Sequence, residues 1–373
     1  MAPARRGPAA PATGTRALRA RCNLIAPVAL AGMLSSLSLS GLLLCGGAAA
    51  LVILVLGTRM TGLADRIADR TGLGEALIGG VLLGAATSAS GTIVSLTAAL
   101  DGRASLAFSN GIGGIAAQTA FLALADMLYR RANLEHASAE LANVFQCGVL
   151  LLLLCVPMVA FTTPVWDLWA VHPASVMLVL IYAVALVATA RLRQAPMWRP
   201  VETEATRPDE AETGDEPNRK SRGLIGTFLG LMVLMGAAGW VTAQVGAELT
   251  DRLDLSASIV GALMTAVVTS LPELVTTLAA VRRGALQLAV GGIIGGNTFD
   301  TLFLTISDLG YRSGSIYHAI GPDDLFWLTV AQMMTAVLLL GLLYRQRSGV
   351  AGIGLESATM LLIYAGAIGL QTL

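Results

Sequence analysis

Thr269-Ser270-Leu271-Pro272-Glu273, followed by Gly295-Gly296-Asn297-Thr298-Phe299-Asp300, puts two carboxylates and a proline inside stretches that otherwise read as membrane spans. A charged side chain in hydrocarbon costs about 2.5–3.5 kcal/mol on insertion scales, so it normally lies on an ion or substrate path. Pro272 removes a helical hydrogen bond at that point. Gly291, Gly292, Gly295 and Gly296 let helices approach closely or unwind. Broken helices carrying acids near the bilayer centre are how secondary transporters build cation sites.

The rest of the chain agrees with that reading. Its 373 residues are 55% hydrophobic and 13% charged, with a mean hydropathy of +0.72, which excludes an ordinary soluble enzyme. Apolar runs long enough to cross about 30 Å of hydrocarbon fall at 38–58, 75–99, 104–128, 141–162, 170–190, 223–245, 257–281, 286–308, 325–345 and 350–370. They predict an all-α membrane protein of ten transmembrane helices. Cys22, Cys45, Cys147 and Cys155 show no paired spacing and read as small buried hydrophobes. His136, His172 and His318 are single and fall in predicted loops, so no zinc site is expected.

Basic residues set the orientation. The loops at 59–70, 130–131, 191–222, 282–283 and 345–347 hold sixteen Lys and Arg, whereas the alternate loops hold only Arg103, Arg252 and Arg312. The first set is therefore expected in the cytoplasm. Residues 1–36 conflict with this: they carry Arg5, Arg6, Arg16, Arg19 and Arg21 before an apolar run and Ser35-Ser36. Such a segment reads either as a signal-like peptide or as a tail inserting with the first span. The proline- and acid-rich stretch 194–222 has almost no aliphatic content and is expected to be a flexible cytoplasmic linker. Its seven acids lack EF-hand spacing, so a solvated tether is the reading.

The linker separates two halves, 37–193 and 223–373, and the halves repeat. Shifting the sequence by 182 residues aligns 73–127 with 255–309 without a gap, and sixteen of the 55 positions are identical. The matches include Thr87/Thr269, Ser88/Ser270, Gly113/Gly295, Gly114/Gly296, Phe121/Phe303 and Asp126/Asp308. Five spans per half is an odd number, so equivalent positions cross in opposite directions. Two inverted five-helix repeats are the architecture that alternates access to a midplane site.

At these residues the chain resembles the sodium/calcium exchanger family of the calcium/cation antiporter superfamily. That family carries G-T-S-x-P-E in each half, followed by G-S-N-x-F-[ND]; here Thr269–Glu273 and Gly296–Asp300 match. The resemblance implies ions held between the broken second, third, seventh and eighth spans. It also implies that Glu, Asx, Thr and Ser oxygens coordinate Ca²⁺ or Na⁺. The first half departs from the pattern: Ser90 replaces the proline, Gly91 the glutamate, and Gln118 takes the Asx position. Carried across, the cation ligands are Glu273, Asp300, Thr269, Ser270 and Asn297, with Thr87, Ser88 and Gln118 from the first half. Asn110, two helical turns before Gln118, reads equally as a cavity-lining residue or an interhelical hydrogen bonder.

Two carboxylates with hydroxyl and backbone oxygens suit a hard cation. One Ca²⁺, two Na⁺ or two protons would each neutralise the pair. The resemblance thus implies a secondary antiporter of the Ca²⁺/Na⁺ or Ca²⁺/H⁺ type, not an enzyme, multi-pass in the cell (plasma) membrane. No cofactor, nucleic acid or obligate protein partner is expected; inorganic cations and the lipid bilayer are. The alternative is a non-transporting structural or regulatory protein on an eroded exchanger fold. Of the other acids, Glu75 and Asp308 lie near span ends and read as solvated caps. Asp126 reads as the helical partner of Arg130, and Glu356 as snorkelling to the interface.

Overall fold

The computed structural model describes residues 32–71, 87–129, 132–138, 140–165, 169–204, 206, 221–349 and 353–372. Most of the signal-like segment, the first half of the second expected span and residues 207–220 of the linker lie outside that set, as do Cys22, Glu75, Arg130 and Arg131. The first half contains α1 (Leu39–Thr71), α2 (Ala89–Leu100), α3 (Ala104–Leu128), α4 (Leu134–Ala137), α5 (Leu141–Thr162) and α6 (Pro173–Gln194). The second contains α7 (Ser221–Leu253), α8 (Ala257–Thr269), α9 (Leu271–Arg283), α10 (Leu286–Asp300), α11 (Leu302–Gly310), α12 (Ile316–Ala319), α13 (Pro322–Tyr344) and α14 (Leu355–Thr372).

Among the described residues seven helical spans are long and apolar enough to cross a bilayer, and the bent pair α8–α9 makes an eighth. The two remaining positions of the ten expected fall on α2, a shorter apolar helix, and on the 18-residue α14. Helix α3 forms the centre. Its sequence ASLAFSNGIGGIAAQTAFLALADML is apolar or small on every face, and 83% of its apolar window is buried, against 17% for α1 and 22% for Gly223–Leu253 of α7. A helix apolar all round belongs in a core, and the two outer helices turn their apolar surface to lipid.

The 182-residue offset holds through the whole body. It carries α1 (Leu39–Thr71) onto α7 (Ser221–Leu253) and α4 (Leu134–Ala137) onto α12 (Ile316–Ala319). It also carries the start of α6 at Pro173 onto the start of α14 at Leu355. Close approaches repeat as well. A Cβ on Gly57 of α1 would stand 2.3 Å from the Pro272 ring, and one on Gly239 of α7 would stand 2.6 Å from the Ser90 carbonyl. Each outer helix therefore presses, at equivalent glycines, on the helix break of the opposite repeat.

The acids at the ends of α3 and α11 show the same exchange and correct their expected roles. Asp126 is fully buried and accepts from the backbone N–H of Leu134 (2.7 Å) and of Gly354 (3.1 Å). Asp308 is equally buried and accepts from Ile316 N–H (3.0 Å), His172 N–H (2.7 Å) and Ser175 Oγ (2.6 Å). The partners 134/316 and 172/354 obey the same offset. Each aspartate thus ties its own repeat's short helix to the start of the other repeat's last helix, satisfying orphan donors at two helix N-termini. Asp308 is therefore not a solvated cap, and Asp126 is buried, while its expected partner Arg130 lies outside the described residues.

The loop histidines obey the same rule: His136 Nδ1 pairs with the Arg345 carbonyl (2.7 Å) and His318 Nε2 with the Thr163 carbonyl (2.9 Å). The described start of the linker rests on this end of the molecule. Thr203 Oγ1 pairs with His136 Nε2 (2.9 Å), and Arg345 Nη1 donates to the Val201 carbonyl (2.7 Å). Glu356 is also buried and does not snorkel. Of the described cysteines Cys147 alone is fully buried; Cys45 is half-buried and Cys155 exposed.

Candidate functional site

Both repeats break their second helix at the same serine. Ser88 before α2 has φ −86° and ψ 4°, and Ser270 between α8 and α9 has φ −94° and ψ 4°. Pro272 accounts for the second break, where the two segments meet at 47°. The first repeat reaches the same serine geometry without a proline. Upstream of the second break, Val260–Thr265 forms a π-helical stretch, a local insertion common at functional sites.

The breaks bring the polar residues of four helices together around a cavity of about 10 Å³, the order of one water-sized sphere. Ser88, Gly91, Asn110, Gly114, Gln118, Thr269, Ser270, Glu273, Asp300 and Phe303 line it. Asp300 Oδ1 accepts from Ser88 Oγ at 2.5 Å, and its Oδ2 from Gln118 Nε2 at 2.7 Å. Gln118 Nε2 also reaches Ser270 Oγ at 3.3 Å. Gln118 and Asp300 are repeat equivalents, so the axis relating the two halves passes between them. The Thr87 hydroxyl hydrogen-bonds the Glu273 carboxyl.

Two acceptor oxygens in this group have no partner: Glu273 Oε2 and Gln118 Oε1, both on residues at least nine-tenths buried. None of the ion pairs among the described residues involves Glu273 or Asp300. A buried carboxylate without a positive partner is costly, and the cost is relieved by a cation or a proton at its free oxygen. Glu273, Asp300, Gln118, Ser88, Ser270 and Thr269 therefore form a set of oxygens directed at one ion-sized space.

Two expected ligands stand apart. Asn297 does not line the cavity; its Nδ2 donates to Thr119 Oγ1 at 3.0 Å. Asn110 borders the cavity but has its polar atoms engaged. Its Oδ1 accepts from Thr265 Oγ1 (2.8 Å), and its Nδ2 donates to Ser95 Oγ (2.9 Å) and the Gly91 carbonyl (3.2 Å). Asn110 thus fills both roles open to it, bordering the cavity and making the interhelical hydrogen bonds. Phe303 lines the cavity too, and its sequence context does not mark it as a site residue. A search for oxygens does not select an aromatic ring, although the repeat identity Phe121/Phe303 had singled out the position.

The family model described as "Sodium/calcium exchanger protein" matches residues 41–190 and 222–373. Among solved structures, the H⁺/Ca²⁺ exchanger CAX is similar with a TM-score of 0.60 at 12% identity, covering 96% of this chain and 94% of that one. The sodium-calcium exchanger NCX_Mj, soaked with 2.5 mM Na⁺ and 10 mM Sr²⁺, gives 0.57 at 20% identity over 88% of this chain and 99% of that one. At these identities the likeness to either structure is one of fold. No curated protein sequence matches the chain.

Proposed function

The chain belongs to the sodium/calcium exchanger family and is an integral cation antiporter, not an enzyme; on that premise we propose that it exchanges Ca²⁺ against Na⁺ or H⁺ at the Glu273–Asp300 cavity. The observation that carries the site assignment is the pair of unpartnered buried oxygens, Glu273 Oε2 and Gln118 Oε1, beside a carboxylate that no Lys or Arg among the described residues neutralises. An apolar replacement of similar volume is often at least as stable, so packing alone does not call for a charge with an open oxygen at this point. A transported ion supplies the missing positive charge. Exchange then keeps the site neutral: one Ca²⁺, two Na⁺ or two protons leave the same total.

The repeat supports alternating access, since five crossings per half would put the equivalent breaks at Ser88 and Ser270 in opposite orientations about one axis. The Lys and Arg distribution favours a plasma-membrane orientation with the linker, His136 and Arg345 on the cytoplasmic side. The test is Ca²⁺ uptake into proteoliposomes driven by an outward Na⁺ or H⁺ gradient. Uptake that needs one of these gradients and vanishes in Glu273→Gln supports the reading. Normal folding with no gradient-driven uptake refutes it in favour of a non-transporting relative.

A further inference from the structure

The cavity is walled on its first-repeat side by an aromatic ring. Gly91 is the repeat equivalent of Glu273, so a symmetrical site would carry a second glutamate there. In its place a Cβ at Gly91 would stand 2.6 Å from Phe303 Cε2 and 3.0 Å from its Cζ. A Cβ at Gly111 on α3 would stand 3.3 Å from Phe303 Cβ. The ring thus lies in the notch made by two glycines, and Phe303 is buried. Helix α11, which carries it, packs tightly on α2: a Cβ at Gly310 would meet Leu96 Cδ1 at 3.0 Å and Ala99 Cβ at 3.2 Å. The ring has little room to withdraw. The Gly91 carbonyl already accepts from Asn110 Nδ2.

Oxygen supply to an ion is therefore one-sided. Both Asp300 oxygens take hydrogen bonds from Ser88 and Gln118, which leaves Glu273 Oε2, Gln118 Oε1 and the Thr269 and Ser270 hydroxyls as the freest donors of electron density. Ca²⁺ asks for six to eight oxygens, and where protein supplies fewer, water normally completes the shell. A cavity of about 10 Å³ flanked by a phenyl ring has little room for added water. We propose that Phe303 is the specificity-determining residue of this exchanger: its ring excludes the first-repeat carboxylate and the water that would complete a divalent shell, and so biases the site toward a small monovalent cation.

This inference rests on the Glu273–Asp300 reading, and the experiment separates the two. Wild type, Glu273→Gln, Phe303→Leu, Phe303→Ala, Gly91→Glu and the double variant Gly91→Glu/Phe303→Ala are purified and titrated calorimetrically with Ca²⁺ and Na⁺. The expected result is a Ca²⁺ to Na⁺ affinity ratio that rises about tenfold in Phe303→Ala and less in Phe303→Leu. It should rise further in the double variant, by another tenfold or more. Gly91→Glu alone should gain nothing, because its side chain meets the ring. Cation binding by wild type that Glu273→Gln abolishes, with an unchanged ratio in both Phe303 variants, overturns the wall and leaves the site standing. A Gly91→Glu variant that gains Ca²⁺ affinity as fully as the double variant overturns it as well. Wild type that binds neither ion removes the site itself. Phe303→Leu keeps the test open should the alanine variants not fold.

Discussion

The two repeats share a frame down to the residue and differ in what they place on it. At the midplane the second repeat contributes Glu273 and Asp300, where the first contributes Gly91 and Gln118. At the loops each repeat carries one acid that the other lacks: the first has Glu135 where the second has Tyr317, and the second has Glu356 where the first has Ala174. The equivalences that hold the frame are intact, namely the serine breaks, the Asp126 and Asp308 ties and the Gly57 and Gly239 contacts. Duplication has preserved packing and let the chemistry drift apart. A neutral Gln118 donating to its own equivalent, Asp300, shows how: one carboxylate has been traded for the donor that holds the other.

The largest effect should come from breaking the charged half of that pair. Glu273→Gln and Asp300→Asn each remove a buried ligand charge, a loss worth about 3–5 kcal/mol when the other partner stays in place, which is at least ~100-fold in cation affinity. Gln118→Ala removes a neutral ligand and should cost about tenfold. Melting temperature as a function of Ca²⁺ and Na⁺ concentration reads all three. In ion-free buffer Glu273→Gln should melt higher than wild type, since it removes a buried charge that no basic side chain balances. Equal losses at Gln118 and Glu273 would contradict the division of labour between the repeats.

A smaller effect should come from the shared frame. Asp308→Ala strips acceptors from two backbone N–H groups and Ser175, and Asp126→Ala from two backbone N–H groups. An unsatisfied buried donor costs about 1–3 kcal/mol. Both variants should lower thermal stability by several degrees, Asp308→Ala more, with cation affinity per folded molecule unchanged. A change in affinity without a change in stability at either aspartate would show that the ties belong to the site.

Much of this frame was legible before any coordinates. Helices 104–128 and 141–162 begin and end where their apolar runs do, because in a bilayer hydrophobic length sets span length. The broken seventh span could be read from Pro272, and Asp300 and Glu273 from the expense of placing a charge in hydrocarbon. The buried ties could not be read from local rules. Asp126 four residues before Arg130 looks like one half of a helical pair, and one of the partners it takes, Gly354, is 228 residues away. The usable signal was the repeat itself: extending the 182-residue offset past position 127 would have matched His136 with His318, Ala137 with Ala319 and Ser175 with Ser357. Asn110 and Phe303 were opaque for another reason. An amide or a ring in a span has no local signature that separates a ligand from a strut, and only the partners of Asn110 and the notch at Gly91 decide between them.

Asn110 supplies the next step down in magnitude. Its amide joins α2 to α3 and to the π-helical stretch, through Ser95, the Gly91 carbonyl and Thr265. Asn110→Leu should cost about 1–3 kcal/mol of stability through the groups it leaves unpaired. It should leave the Ca²⁺ to Na⁺ ratio within about twofold, below the 1.4 kcal/mol that a decade of affinity represents. A ratio shifted tenfold in a stably folded Asn110→Leu protein would make Asn110 a ligand after all.

The smallest effect belongs to the loop asymmetry, and pH exposes it. Glu135 lies in α4, between spans, and is fully buried beside Asp126 and Glu356; Ser357 Oγ reaches its Oε1 at 3.5 Å. Burial, then repulsion from Asp126 and Glu356, pushes the Glu135 carboxyl well above the usual carboxylate range. In the unfolded chain the same group ionises at its ordinary value. Between those two values the folded protein holds a proton that the unfolded chain releases, so stability falls as pH rises. The contribution is complete below the ordinary carboxylate range and is lost as pH climbs through the folded value. Tyr317, the equivalent in the other repeat, keeps its hydroxyl paired with Ser175 Oγ at 2.9 Å and gives no such slope in this window. Glu135→Gln should therefore flatten the decline in melting temperature between mildly acidic and mildly alkaline buffer and raise stability at the alkaline end. Tyr317→Phe should leave the slope as it is. Parallel pH profiles for wild type and Glu135→Gln would show that the proton on this carboxyl is not linked to folding.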